Sequence, residues 1–268
     1  QYRSDQLRII FLMGLFLFAI LSLMWRAVDL HVLRKDFLQD QGDARYLRVV
    51  SVPANRGMIT DRHGEPLAIS TPVQSVWASP KVLIQRPQDW PLLAQVLQLE
   101  MPQLVERIRQ NEQREFIYLK RHVTPDLVDK LAALNIPGVD FRKEYRRYYP
   151  SAEVSSHIVG FTDIDDVGQE GVELAYNITL RATDGSKRVI KDRLGRIVEN
   201  VELVSNPSPG EDLVLSIDKR IQYLAYREVK EAVQKHQAEA GSAVILDARS
   251  AEVLAMVNYP SYNPNNRE

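Results

Sequence analysis

There is no cysteine among the 268 residues, which excludes a disulfide scaffold, a thiolate metal site and a cysteine nucleophile. The absence is neutral as to compartment, because a protein outside the cytoplasm need not use disulfides. An excess of one charge is also missing: 34 Lys and Arg face 35 Asp and Glu. A chain that gripped nucleic acid by its phosphates would carry surplus positive charge, so that class is set aside. Internal repeats and low-complexity stretches are absent too. The five histidines, at positions 31, 63, 122, 157 and 236, include no pair at i, i+4 helical spacing, so no metal site is expected. What is there is 45% hydrophobic and 26% charged, enough to bury a core.

One long apolar run breaks the polar average. Ile9 to Trp25 is 17 residues without a charge. As a helix it would reach about 25 Å, and Leu7, Ala27 and Val28 extend it toward the roughly 30 Å of a hydrocarbon core. Arg8 and Arg26 can snorkel to the interfaces, and Trp25 sits where an interfacial aromatic belongs. A buried soluble helix usually has a polar face, and this run has none. No small-x-small cleavage pattern follows it, which favours an uncleaved signal anchor over a removed signal peptide. The expectation is a single transmembrane helix over residues 9–28, marked by Ile9, Phe16 and Trp25. Residues 1–8 would then be a cytoplasmic stub, with the polar bulk on the other side.

Beyond a stalk-like stretch at residues 29–50, the patterning predicts mixed strands and helices. Residues 51–79 read as short strands and turns, punctuated by Arg56-Gly57 and by Arg62-His-Gly-Glu-Pro66. Trp90 to Arg109 has helical periodicity interrupted by Pro102. Phe116–Leu119 reads as a strand, and Thr124-Pro125-Asp126 opens a helix running to about Leu134. Gly138–Pro150 is β-like, with basic and aromatic residues on alternate faces. Asn206–Glu211 resembles a linker. Leu213–Ile217 then reads as a strand, and Asp218 caps a helix whose apolar face holds Ile221, Leu224, Ala225, Val229, Ala232 and Val233. Ser242–Asp247 and Glu252–Val257 read as a hairpin.

Several short patterns suggest chemistry and fail on inspection. Asp163-Ile-Asp-Asp-Val-Gly168 opens like a calcium loop, but Val167 and Leu174 stand where ligands are needed, so a polar turn is expected. Asn177-Ile-Thr179 is a formal glycosylation triplet of a kind that arises by chance. Ser216-Ile-Asp-Lys219 fits Ser-x-x-Lys, in which a lysine one turn on assists a serine nucleophile. Ser261-Tyr-Asn263 fits the Ser-x-Asn that accompanies it. The third element, Lys-Thr-Gly or Lys-Ser-Gly, is absent from all 268 residues, and Ser216 falls in an expected strand. The pair is not expected to be catalytic.

Arg56-Gly-Met-Ile-Thr-Asp-Arg-His-Gly-Glu-Pro-Leu-Ala68 resembles the Arg-Gly-x-Ile-x-Asp-Arg-x-Gly-x-x-Leu-Ala motif of class B penicillin-binding proteins. Further blocks follow in that family's order: Arg146-Arg-Tyr-Tyr-Pro150, His157-Ile-Val-Gly-Phe-Thr162 and Gly168-Gln-Glu-Gly-Val-Glu173. Lys191-Asp-Arg-Leu-Gly-Arg196, Leu213-Val-Leu-Ser-Ile-Asp218 and Pro260-Ser-Tyr-Asn-Pro-Asn-Asn266 complete them. Trp77-Ala-Ser-Pro80, Phe116-Ile-Tyr-Leu119 and the tail resemble the cell-division subtype, with the elongation-specific subtype as the alternative.

The resemblance implies an α+β chain: an anchor, an elongated pedestal over residues 51–205, and the first helix and hairpin of a transpeptidase domain over residues 206–268. It implies a parent enzyme of the inner membrane, with its bulk in the periplasm, that cross-links peptidoglycan at the septum and is acylated by β-lactams. It implies that the catalytic Ser-x-x-Lys, Ser-x-Asn and Lys-Thr-Gly lie beyond Glu268, so that this chain holds no catalytic residue. Neither cofactor nor metal is implied. Implied partners are the septal glycosyltransferase FtsW, other division proteins and, through the missing domain, peptidoglycan strands. Arg56, Gly57, Asp61, Arg62, Gly64, Gly171 and Glu173 are expected to lock the pedestal as structural residues. A non-enzymatic membrane-anchored scaffold is the rival reading. One departure concerns the hairpin turn, where Ser250-Ala251-Glu252 replaces the family's Thr-Gly-Glu and leaves the turn type open.

Overall fold

The computed structural model describes residues 47–191 and 197–266, together with Phe16, Phe18 and residues 20–25. That last group is helical, with Phe16 and Trp25 exposed. Among the described residues no helix is long and apolar enough to cross a membrane. Ile9 and most of the expected anchor at 9–28 lie outside the described residues, as do the stub 1–8 and nearly all of the stalk 29–50.

The order is β1 (Leu47–Val52), β2 (Ile59–Thr60), β3 (Pro66–Ala78), α1 (Pro80–Leu83), α2 (Trp90–Leu97), α3 (Met101–Gln110), β4 (Ile117–Val123), α4 (Pro125–Leu134) and β5 (Val139–Tyr148). Then come α5 (Ser156–Val159), α6 (Gly171–Ala175), α7 (Asn177–Leu180), β6 (Gly185–Lys191), β7 (Ile197–Ser205), β8 (Leu213–Val214), α8 (Lys219–His236), β9 (Gly241–Leu246) and β10 (Val253–Tyr259).

The long strand β3 joins two cores. Its first residues pair with β2, its last with β4, and β5 runs antiparallel along Ile69–Ala78. Pro72 has no N–H to give, and it falls where β5 alone flanks the strand, a position that tolerates it. At the far end of β3, Val76, Ala78, Ile117 and Leu119 pack under Leu83, Leu93, Leu97, Leu104 and Ile108 of the helices. At the near end, Ile59, Leu67 and Ala68 pack with Tyr149, Val159 and Leu180. Each fully buried leucine contributes roughly 1.5–3 kcal/mol.

Pro102 does not interrupt the helical stretch as its position suggests. The break comes earlier, where Gln98 closes α2 in the left-handed conformation, and Pro102 sits in the first turn of α3. Proline costs nothing there, because first-turn N–H groups have no intrahelical acceptor. The strand expected over 213–217 stops at Val214, since its parallel partner β2 is only two residues long.

A third core joins α8 to the β9–β10 hairpin through Ala225, Tyr226, Ala255 and Val257. Helix α8 buries Gln222 where Leu224 was expected, and Leu224 is half exposed. The opposite face of the hairpin is bare: Val244, Leu246 and Met256 are exposed. In its turn, Ala251 adopts φ 59°, the conformation that glycine would take without strain.

Candidate functional site

Two clusters of polar groups converge from distant parts of the chain. The first is fully buried. Arg56 Nε donates to Glu173 Oε2 at 2.7 Å, its Nη2 to Glu173 O at 2.9 Å, and its Nη1 to Asp166 O and Asn177 Oδ1, both at 2.9 Å. From β5, Arg147 Nε donates to Glu173 Oε1 at 2.6 Å and its Nη1 to Ser70 Oγ at 3.2 Å. Glu173 is 0% exposed, and each of its carboxylate oxygens meets one guanidinium. Two cations share one anion, so removing the carboxylate would strand both of them in a dry interior.

Backbone geometry shapes the surroundings of this cluster. Gly171 opens α6 at φ +60°, with Ile158 O where a Cβ would need to be. A Cβ on Gly57 would stand 1.9 Å from Glu211 O, so only glycine lets these two backbones touch. Asp166 lies beside the cluster, and among the described residues no donor reaches its side chain. Burial pushes its carboxyl up to about 6, against the opposing pull of Arg147 and Arg56.

The second cluster ties the β2–β3 turn to the start of α8. Asp61 Oδ1 accepts the N–H groups of His63 and Glu65, both at 2.8 Å, and its Oδ2 accepts Lys219 N at 3.1 Å. Lys219 is the first residue of α8, so Asp61 caps a helix 158 residues away. Asp218 caps the same helix locally, accepting Arg220 N at 2.9 Å. His63 Nε2 reaches Asp218 Oδ2 at 3.1 Å. Burial opposes ionisation of Asp61, but the N–H donors of Lys219, Glu65 and His63 outweigh it and hold the carboxyl below its ordinary value. Asp218 is likewise lowered: burial opposes, and the N–H groups of Arg220 and Ile221 prevail.

Arg62 donates from its backbone to Ile217 O at 3.0 Å, and among the described residues its side chain forms one ion pair, a half-exposed contact to Glu252 at 3.3 Å. Gly64 closes the turn at φ +84°. The seven motif residues therefore divide between two places: Arg56, Gly171 and Glu173 meet in the buried cluster, Asp61, Arg62 and Gly64 at the α8 joint, and Gly57 lies between.

Local pattern does not announce every residue that matters. Arg147 stands in the Arg146-Arg-Tyr-Tyr-Pro150 block with no role attached to it, and Asn177 only in a glycosylation triplet. Gln222 is 1% exposed and bonds Val154 O, Met256 O and Met256 N, all between 2.8 and 2.9 Å. Nothing in its spacing announced it. The tail also closes onto the same body, with Asn265 bonding both Tyr149 N and Tyr149 O.

Ser216 Oγ donates to Val253 O at 2.8 Å, while Lys219 Nζ lies 3.5 Å from Glu65, so the two side chains are spent on different partners. Asp163 Oδ1 accepts the N–H groups of Asp165 and Val167, the bonding of a polar turn. Among the described residues no group of three His, Asp or Glu could hold a metal ion.

Residues 51–215 match the family described as the Penicillin-binding Protein dimerisation domain. The peptidoglycan D,D-transpeptidase FtsI of Escherichia coli K12 is 46% identical over 264 residues, covering 97% of this chain and 45% of that protein. FtsI of Buchnera aphidicola (Schizaphis graminum) is 37% identical over 258 residues, covering 94% of this chain and 45% of that protein. The chain thus spans less than half the length of these relatives. Among solved structures, the Helicobacter pylori complex of PBP2 with MreC matches with TM-score 0.59 and 25% identity, covering 82% of this chain and 44% of that one. With its motif blocks, its mixed α+β body and these matches, the chain belongs to the class B penicillin-binding proteins.

Proposed function

We propose that this chain is the anchor and pedestal of a septal peptidoglycan D,D-transpeptidase, and that its own task is to position a catalytic domain above the membrane. In the whole enzyme a serine Oγ attacks the D-Ala–D-Ala carbonyl of a stem peptide, and the terminal D-Ala leaves. An amine of a neighbouring strand then takes the acyl group and releases the serine. Splitting the transfer through a covalent intermediate is the general advantage of such nucleophiles. FtsW would pack along the anchor helix, and other division proteins along the pedestal.

The observation that carries this reading is the cap on α8. A carboxylate from the β2–β3 turn accepts the first N–H of the helix, which ties the start of the helix to the turn of the pedestal. The bare face of Val244, Leu246 and Met256 is a sheet surface that further sheet and helix would cover. In this reading the buried cluster of Arg56, Arg147 and Glu173 keeps the pedestal stiff.

Labelling with a fluorescent penicillin tests it. The 268-residue chain should stay unlabelled, and the product of a reading frame continuing through Ser-x-x-Lys and Lys-Thr-Gly should be labelled. Labelling of this chain that vanishes in Ser216→Ala would overturn the reading. A fluorescent fusion that lines the cylindrical wall and never the septum would replace the division role with the elongation one.

A further inference from the structure

After the hairpin, residues 260–266 run back across the pedestal and are held at each step. His157 Nε2 lies 3.1 Å from Pro260 O, Ser261 Oγ 2.8 Å from Ser156 Oγ, and Tyr262 Oη donates to Glu170 Oε2 at 3.0 Å. A turn follows, in which Asn263 Oδ1 accepts Asn265 N at 2.9 Å and Asn263 O accepts Asn266 N at 3.3 Å.

Asn265 then does the work of a strand. The ladder between β3 and β5 ends at Tyr148, opposite Ile69. At the next residue the side-chain amide of Asn265 takes over: its Oδ1 accepts Tyr149 N at 3.0 Å and its Nδ2 donates to Tyr149 O at 2.9 Å. Tyr149 is 4% exposed, so both backbone groups need partners. A carboxylate in this place could accept but not donate, and an alanine could do neither. Tyr149 O also accepts Ala152 N at 3.0 Å, so truncating Asn265 would fall hardest on Tyr149 N. From the other side, Arg146 Nη2 donates to Asn265 O at 3.3 Å.

The surface that receives the tail is built on the buried cluster. Tyr149 stands two residues beyond Arg147, which bonds Glu173, and Glu170 immediately precedes α6, which carries Glu173. Helix α8 and its hairpin thus leave the pedestal at the bond from Lys219 to Asp61 and return to it at the pair of Tyr149 and Asn265. We infer that Asn265 is a positioning residue of the transpeptidase: it sets the place from which the chain runs on toward the catalytic serine. The inference rests on the transpeptidase reading, which puts that serine beyond Asn266. Misplacing a reacting group by about 1 Å can cost about a hundredfold in rate, and a clasp seated on a rigid element guards against it.

Acylation by a fluorescent penicillin, followed in time on the full-length product of the longer reading frame, tests this. Asn265→Ala should slow acylation about tenfold, while the fraction of molecules finally labelled stays that of the wild type. A merely structural role would lower that fraction instead. Lys230→Met removes a half-exposed contact to Glu153 at 3.2 Å between the same two parts and should leave the rate unchanged. On the 268-residue chain, Asn265→Ala should speed amide exchange at Tyr149 about tenfold without changing it at Lys219, whose N–H goes to Asp61. An unchanged acylation rate, slowing matched by an equal fall in the labelled fraction, equal slowing by Lys230→Met, or unchanged exchange at Tyr149 would each overturn the inference. A wild-type product that takes no label would instead defeat the transpeptidase reading, and the role of Asn265 would fall with it.

Discussion

The buried cluster around Glu173 and the joint around Asp61 are both built on one carboxylate, yet they differ in what surrounds it. Glu173 is sealed from water and answers two guanidinium groups, whereas Asp61 answers three backbone N–H groups at the edge of a turn. The first arrangement is costly to assemble and costlier to break, because nothing can replace the missing partner. The second is closer to ordinary helix capping, where water can partly stand in for a lost acceptor. A single family motif, Arg56 through Gly64, feeds both.

Removing Glu173 should have the largest effect. Glu173→Gln leaves two buried guanidinium groups with no counter-charge and should cost about 3–5 kcal/mol in urea unfolding. A loss below about 1 kcal/mol would erase the contrast with the joint.

Asp61→Asn should cost about 1–3 kcal/mol, the range for hydrogen bonds to a charged group. Here the sign with pH is informative. The Asp61 carboxyl is lowered in the folded protein. Its stabilisation is therefore complete above the unfolded value near pH 4 and is lost as pH falls through the folded value. The gap between wild type and Asp61→Asn should hold steady at neutral pH and narrow on acidification. A gap that widens toward acid would contradict the assignment.

Ala251→Gly should act in the opposite direction. Ala251 sits at φ 59°, and relieving that strain should raise hairpin stability by about 0.5–1 kcal/mol. Slower amide exchange in β9 and β10 would register it. Smallest of all, Arg62→Ala should change stability by less than about 0.5 kcal/mol, because its ion pair with Glu252 is half exposed. A loss of several kcal/mol would show that the joint depends on that side chain as the buried cluster depends on Glu173.

Much of the fold was legible in local pattern. The Thr124-Pro125 start of α4, the Asp218 cap of α8 and the β9–β10 hairpin all follow from residues within a few positions of one another. The motif residues Arg56 and Asp61 stood out as well. Their pairings did not. Glu173, itself inside a family block, is 117 residues from Arg56, and Lys219 is 158 from Asp61, and neither spacing has any period to detect. Gln222 read as the polar neighbour of an apolar stripe, because helical periodicity cannot say that Val154 O and Met256 would arrive beside it.

By itself the sequence determined which segments become helices and strands, because propensity, capping and alternation act between neighbours. It also set what the chain could never use: a chain without cysteine holds its shape by packing and by charge. The tertiary structure alone decided which charges are buried together and which residue of the tail continues the sheet. Desolvating a carboxylate is tolerable only where donors converge on it, and Asn265 can answer the backbone of Tyr149 only once the two lie side by side. Both are properties of segments brought together from afar, and no single stretch of sequence carries them.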